Sequence, residues 1–353
     1  MQEIASILRP DDLILITGAN GFIGKKVVEC LAKAGYSNLR CFVRSTGHLE
    51  ELTAIGARFP QLKIEIQRGN LLSREDCAAA ARGARVIYHL AAGIEKTFPG
   101  SFMNSVVTTR NLLDAALAFG SLERFVNISS FAVYSNWDLA RGALLDEGCS
   151  LETKYNERAE AYAFAKLKQE ELVEEYARRY NLRYVTVRPG AVYGPGARHL
   201  SARIGLDTFG IFLHLGGSNR IPLTYVDNCA EAIALAGLRP GVEGEAYNVV
   251  DDELPTSRQF LRLYKRHGRP FRSLYVPYPF FYLFCDLWER YSRWSNGQLP
   301  PAFNRHRCAT YWKGNRYTNR KLKERLGWEP SVPFDEASRR YFAYIKESTR
   351  CSA

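Results

Sequence analysis

Through the first third of the chain, apolar positions fall into short continuous runs separated by longer stretches of helical period. LILIT (13–17) has the unbroken apolar character of a strand buried on both faces. GANGFIGKKVVECLAKAG follows, a glycine turn and then an amphipathic helix that Gly35 would close. The alternation continues with LRCFVR (39–44), KIEIQRGN (63–70), an alanine-rich helix, VIYHLAA (86–92), the helix SVVTTRNLLDAALAFG and RFVNISS (124–130). Strands alternating with helices predict an α/β fold built on a doubly wound parallel sheet. Ligands of such sheets sit beyond the carboxyl ends of the strands. Three stretches fall there: the turn at Gly18, Ala91-Ala92-Gly93, and Ser129-Ser130.

The spacing of the first stretch points to phosphate chemistry. Gly18, Gly21 and Gly24 lie three apart, in a GxxGxxG rather than a GxGxxG pattern. Glycine lets the backbone turn sharply and approach a pyrophosphate, whose charge meets the N–H groups of the helix start. A plain tight turn is the alternative. The next strand ends at Arg44, 20 residues beyond Gly24, where an acid would bond the ribose hydroxyls and an arginine accommodates a 2′-phosphate. NADP(H) is therefore expected over NAD(H), unless Arg44 only stacks on the adenine or faces solvent. Further on, AYAFAK (161–166) places Tyr162 and Lys166 on one helical face, either as an acid–base pair or as an ordinary turn of helix.

Composition is that of an ordinary globular protein: 353 residues, 46% hydrophobic and 24% charged. That length suits one large α/β unit carrying a smaller lobe. The N-terminal residues lack the basic start and apolar core of a signal peptide, and no apolar run approaches the roughly 20 residues needed to span a bilayer. Eight cysteines are scattered without CxxC or metal-ligand spacing, so a reducing, cytoplasmic setting and no metal site are expected. The net charge of +11 is uneven: from Thr256 onward 20 Lys/Arg face 7 Asp/Glu. Such a segment could attract a phosphorylated ligand, an anionic membrane or nucleic acid, or simply be solvated. No zinc-finger spacing or RRM-like signature accompanies it, which argues against nucleic acid.

Eight stretches, in one order along nearly the whole chain, resemble the short-chain dehydrogenase/reductase superfamily in its extended, epimerase/dehydratase-like branch. They are TGANGFIG (17–24), YHLAAG (88–93), NISSFAVY (127–134), YAFAK (162–166), VRPGAVYGPG (187–196), YVDNCAEAI (225–233), YNV (247–249) and LGWEP (326–330). The resemblance implies a Rossmann-like dinucleotide domain over 1–190, with core strands partly drawn from 220–250, and a smaller substrate lobe over 191–353. It implies that Tyr162 is the general acid/base, Lys166 its partner, and Ser130 the hydroxyl that orients the substrate oxygen. A phenol of pKa about 10 is a poor base near neutrality, and an adjacent ammonium is expected to lower it. By position, Gly18, Asn20, Gly21, Phe22, Ile23, Gly24, Arg44, Asn70, Leu71, Leu90, Ala91, Ala92, Lys166, Pro189 and Val192 would contact the dinucleotide, and Tyr193 would join Ser130 and Tyr162 at the substrate. Asn70 stands where the family usually has Asp. Asn104 matches a family asparagine or is a packing amide. A homodimer is usual in the family.

The second half narrows the substrate less. Nucleotide-sugar members carry an arginine four residues before the tyrosine of the YVDD-like motif; here that residue is Ile221, with Arg220 beside it. VPYPFFYLFCDLWERYSRW (276–294) resembles the 3β-hydroxysteroid dehydrogenase members. Its aromatics are read as lobe core, with a ligand wall or a helix lying on a membrane, flanked by Arg290 and Arg293, as alternatives. An NADP(H)-dependent alcohol/ketone oxidoreductase is the leading expectation. A nucleotide-sugar epimerase that retains its cofactor and a non-catalytic dinucleotide-binding protein are the alternatives. Phe131 and Ala132 follow Ser130 where dehydratases place acids, so dehydration is disfavoured.

Overall fold

A computed structural model of the chain describes residues 5–93, 95, 97–197, 200–208, 210–295, 298 and 303–350. The first half runs β1 (Ile14–Thr17), α1 (Gly24–Lys33), β2 (Asn38–Val43), α2 (Glu50–Arg58), β3 (Lys63–Arg68), α3 (Arg74–Ala81), β4 (Val86–His89), α4 (Phe98–Phe102), a π-helical turn (Met103–Val107), α5 (Thr108–Phe119) and β5 (Arg124–Ile128). Then come β6 (Leu144–Leu145), α6 (Tyr155–Arg158), α7 (Ala161–Tyr180), β7 (Tyr184–Pro189), β8 (Ala191–Tyr193), β9 (Gly205–Thr208), β10 (Ile211–His214), β11 (Leu223–Tyr225), α8 (Val226–Leu238) and β12 (Ala246–Val249). The chain ends with α9 (Ser257–Leu263), β13 (Ser273–Tyr275), α10 (Tyr278–Trp294), α11 (Arg305–Trp312), β14 (Arg316–Tyr317), α12 (Arg320–Leu326) and α13 (Phe334–Arg350).

Seven strands form one sheet in the order β12-β7-β5-β4-β1-β2-β3, every pair parallel. This is the doubly wound, Rossmann-like arrangement that the alternating pattern predicts. The chain crosses from one side of β1 to the other between β3 and β4, so the crevice for a ligand opens at the carboxyl ends of β1 and β4. β1, β4 and β5 are buried at every residue, which is why they are mainly apolar, with Arg124 and Asn127 as buried polar positions of β5, whereas KIEIQR of β3 is largely exposed at the sheet edge. Gly35 (φ +89°) and Gly120 (φ +65°) end α1 and α5 in the left-handed conformation that glycine adopts without strain. One face of the sheet is covered by α1, α8 and α12, with Val27, Ile233 and Leu322 in the same core; the other is covered by α3, α5 and α7.

A second, smaller group of elements is built from β8 with β11, the mixed sheet β13-β10-β9, and α9, α10, α11 and α13. The expectation that the aromatic run 276–294 is core holds for only part of it. α10 buries Phe281, Cys285 and Ser292 and leaves Phe280, Leu283, Phe284, Leu287, Tyr291 and Trp294 exposed. An aromatic-rich sequence gives no period from which to tell a helix buried all round from one with an uncovered face. Among the described residues, no helix is long and apolar enough to cross a membrane.

Candidate active site

Close backbone packing builds the glycine turn after β1. Gly18 has φ +68°, and a Cβ there would sit 3.0 Å from the Ala91 nitrogen. The Gly21 N–H donates to the Gly18 carbonyl at 2.9 Å, and a Cβ on Gly24 would lie 2.1 Å from that same oxygen. No side chain caps α1 and no acid lies in its first turn, so its positive end is not neutralised by the protein. Beside the turn is a cleft of about 250 Å³. It brings together Gly18, Asn20 and Gly21 from the turn, Arg44 after β2, Asn70 and Leu71 after β3, and Leu90, Ala91 and Ala92 after β4. An anion-ready helix end and bare glycine backbone beside a basic residue suit a dinucleotide pyrophosphate.

Other residues of the predicted set do not line this cleft. Phe22 and Ile23 pack into the protein core, Phe22 meeting Gly196. Gly24 is consumed by its contact with Gly18. Pro189 lies at the end of β7 and Val192 packs between the two main cores. Conversely, Gly93, in the stretch placed at the strand ends by sequence, lines the cleft too. Phe42, Gly69, Glu95, Asn104 and Thr108 line it without having been assigned to it by sequence, Asn104 having been left open. Asn104 lies on the π-helical turn, where one helical turn is over-wide, and its amide donates to Glu95 Oε1 at 3.2 Å. Arg68, next to the cleft residue Gly69, is a second cation in this region, its guanidinium held by the carbonyls of Ser45 (2.5 Å) and Gly47 (3.3 Å). Asn70 is occupied locally: its Oδ1 accepts from the Leu72 N–H at 3.0 Å, as an Asx turn does.

The chemistry-bearing side chains lie at the adjacent strand end, since β4 and β5 are neighbours in the sheet. Ser130 follows β5 in extended conformation and its Oγ accepts from the Ala132 N–H at 3.2 Å. The half-buried Tyr162 phenol lies beside the Ser130 hydroxyl, close enough for Ser130 to oppose the effect of burial on the phenol. Lys166, buried one turn along α7, donates from Nζ to the Ile128 carbonyl at 2.6 Å and to Gln169 Oε1 at 3.0 Å. It lies close enough to His89 for its charge to reinforce burial in pushing the imidazole pKa down to about 3. Neutral His89 bridges Thr17 and Thr109 at 2.9 Å each, fixing the ends of β1 and β4 against α5.

One electrostatic expectation is corrected. Tyr162 is not made acidic by Lys166: burial raises its pKa above the ordinary phenol value, the Ser130 hydroxyl opposes this, and Glu160 adds to it. The ammonium is turned toward Ile128 and Gln169, and burial lowers its own pKa to about 8 against the pull of Glu170. α7 is held in place by a buried fork: Arg188 of β7 donates to both oxygens of Glu170 (3.0 and 2.6 Å) and to the Tyr134 hydroxyl (2.9 Å).

Tyr193 is a second correction. It is 4% exposed, ringed by Tyr225, Phe260 and Tyr341, so it belongs to the core of the smaller lobe rather than to a substrate wall. In its stead a charged cluster stands beside Tyr162. Glu160, immediately before α7, pairs with Arg158 at 2.8 Å and accepts from the Tyr311 hydroxyl. Asn304 donates to the Arg158 carbonyl at 3.2 Å, and His306, stacked on Trp137, is bonded to Glu152 at 2.7 Å. It joins two short segments, 152–160 and 304–311, about 150 residues apart in sequence, with no local motif to announce them. Ile221, at the family's arginine position, is 1% exposed in the core, and Arg220 turns to the Leu254 carbonyl.

A model of the NAD dependent epimerase/dehydratase family matches residues 14–249. The 3beta-hydroxysteroid-dehydrogenase/decarboxylase isoform 1 of Arabidopsis thaliana is 26% identical over 367 aligned residues, 94% of this chain and 80% of that protein. The 2-alkyl-3-oxoalkanoate reductase of Stenotrophomonas maltophilia is 28% identical over 342, covering 93% and 97%. Among solved structures, gox2253 has a TM-score of 0.76 at 23% identity, covering 96% of this chain and 99% of that one. The UDP-glucuronic acid 4-epimerase from Bacillus cereus, solved with NAD, has 0.70 at 21%, covering 96% and 98%. At these identities the structures speak to the fold. With its sheet, its glycine turn and two thirds of its length matched, the chain belongs to the NAD dependent epimerase/dehydratase family.

Proposed function

We propose that this protein is an NADP(H)-dependent oxidoreductase that interconverts a secondary alcohol and a ketone. The observation that carries the reading is the Ser130–Tyr162 hydroxyl pair, with buried Lys166 one turn on, at the strand end next to the glycine cleft. The Gly18–Gly24 turn and the start of α1 would hold the pyrophosphate, Arg44 with Arg68 the 2′-phosphate, and Leu90–Ala92 the middle of the dinucleotide. When bound, that cofactor supplies the carbon that gives or takes hydride. Tyr162 moves the proton at its phenolic oxygen, and Ser130 Oγ orients the substrate oxygen. Lys166 fixes the end of β5 through Ile128 and adds positive charge to the same corner.

A phenol is already protonated at neutral pH, the form that donates to a ketone oxygen, and burial raises the Tyr162 pKa further. Reduction therefore starts from the resting form of the phenol at pH 7. Its rate should hold steady with rising pH until the phenol ionises, whereas alcohol oxidation, which needs phenolate, should climb over that range. A partly apolar substrate is supported by a hollow of about 240 Å³ that includes Phe281, Phe303 and Trp312; Asn304, at its edge, also touches Arg158 of the cluster beside Tyr162. The relatives named as a hydroxysteroid dehydrogenase and an oxoalkanoate reductase agree with that reading. A nucleotide-sugar substrate is disfavoured by the buried Ile221. The family resemblance supports a homodimer, and the scattered free cysteines a reducing, cytoplasmic setting.

The test is absorbance at 340 nm with NADPH and a panel of ketones, beside UDP-sugars as epimerase substrates. A ketone reductase consumes NADPH in step with alcohol formed; isomerisation of a UDP-sugar without net consumption would overturn the proposal. In the same assay Tyr162→Phe should lower kcat about 10²–10⁴-fold while NADPH affinity stays within about twofold.

A further inference from the structure

We propose that α10, with the adjoining edge of the β13-β10-β9 sheet, docks on an anionic lipid bilayer, the helix lying in the plane of the surface. Phe280, Leu283, Phe284, Leu287, Tyr291 and Trp294 recur at helical spacing and form one stripe, from 41% exposed at Phe284 to 78% at Trp294. The opposite side of α10 carries Phe281 and Cys285 into the packing beneath, so the helix is anchored and its outer face uncovered. On β13, which runs into the helix, Leu274 is a further large apolar side chain left 57% exposed, while Tyr275 points to the other face of the strand against His214. Apolar side chains scattered singly over a surface need no explanation; a contiguous stripe of this length does.

Charge identifies the occupant. Between Ser257 and Trp294 the sequence has eight Lys/Arg and two acids. Both acids are already paired, Asp286 with Arg290 and Arg305 and Glu289 with Arg305. Arg258 lies over the Tyr275 ring, 5.2 Å from its centre, Arg269 and Arg272 are exposed just before and at the start of β13, and Arg290 and Arg293 are exposed on α10 itself. An apolar stripe with a cationic border and Tyr and Trp near its end matches a headgroup layer over acyl chains. A second copy of this chain fits less well: a two-fold contact sets each patch against itself, and the arginine borders would repel. The helix has 17 residues, about 26 Å at 1.5 Å per residue, with Asp286, Glu289, Arg290 and Arg293 along it, so it lies on the membrane and does not cross it.

The experiment is co-sedimentation of the full chain with phosphatidylcholine vesicles containing 30% phosphatidylglycerol (about a typical anionic fraction), and with pure phosphatidylcholine. Binding to the anionic vesicles is expected, at least tenfold weaker to the neutral ones and severalfold weaker at about 0.5 M salt, where screening is stronger. The double variant Leu283→Glu, Leu287→Glu should lose binding at least tenfold while melting within a few degrees of the wild type, because both side chains are exposed. Arg272→Glu with Arg293→Glu should remove the preference for anionic vesicles. Absence of binding to either vesicle, or undiminished binding by the Leu283→Glu, Leu287→Glu variant, overturns the proposal. So does a dimer in sedimentation velocity that this variant dissolves, because the face would then belong to a second copy.

Discussion

Lys166 titrates at about 8 in the folded protein against roughly 10.4 for an exposed lysine, because burial penalises its charge. Between those values the unfolded chain holds a proton that the folded chain has released, so this site's contribution to stability rises with pH. The gap corresponds to at most about 3 kcal/mol across the window. Urea unfolding at pH 8 and pH 10 should show wild type gaining about 2 kcal/mol of that relative to Lys166→Met; a constant difference would mean that the ammonium is not desolvated as described. At the other end of the cleft, Arg44→Asp should weaken NADPH about tenfold or more and leave NADH nearly unchanged, as read by nucleotide fluorescence titration. That Tyr162 and Lys166 share a helical face could be read from their spacing, whereas the roles given to them and to Ser130 came from the family resemblance. The direction of the ammonium could be read from neither, because its partner, the Ile128 carbonyl, is 38 residues away and becomes a neighbour only once β5 lies against α7. Tyr193 misled for a related reason: a tyrosine beside a glycine looks the same whether it faces a ligand or three other rings.

Secondary-structure elements were most legible where glycine punctuates them. The turn after β1 and the ends of α1 and α5 follow from Gly18, Gly35 and Gly120. Gly24→Ala is the sharp check on the turn. Its methyl would meet the Gly18 carbonyl at 2.1 Å, contact with backbone that no rotamer can relieve. The variant should lose about 1–3 kcal/mol of stability and bind NADPH at least tenfold more weakly; wild-type values in denaturation and titration would show that the turn is looser than described. α4 was not legible. FPGSF carries both helix-breaking residues, yet Thr97 caps it by accepting the Gly100 N–H, and the proline falls in the first turn, where its missing N–H costs nothing. The π-helical turn that follows, which sets Asn104 against Gly93, also has no sequence period by which to be recognised.

On the scale of the whole molecule, alternating strands and helices were sufficient to anticipate the parallel sheet, because each buried strand needs a crossover before the next. The exposed face of α10 was not, since burial on one side depends on what the remaining chain supplies. The C-terminal return is the clearest case of long-range dependence. Trp328, 1% exposed, donates its indole N–H to the Asn228 carbonyl at 3.1 Å, and Asn228 in turn bonds the backbone of Val332. Trp328→Ala should cost about 3–5 kcal/mol in guanidinium unfolding; a loss under about 1 kcal/mol would place the indole outside the core. The same return restricts how this architecture can be rearranged. Leu322, Leu326 and Trp328 share a core with Ile14 and Val27, and β12 completes the large sheet from beyond β11. The smaller lobe is therefore an assembly of insertions, with no uninterrupted cassette to lift out. A chimera made by a single splice near residue 190 would orphan a strand and over a third of one core, whereas one that keeps 226–249 and 320–332 with their original sheet should still fold.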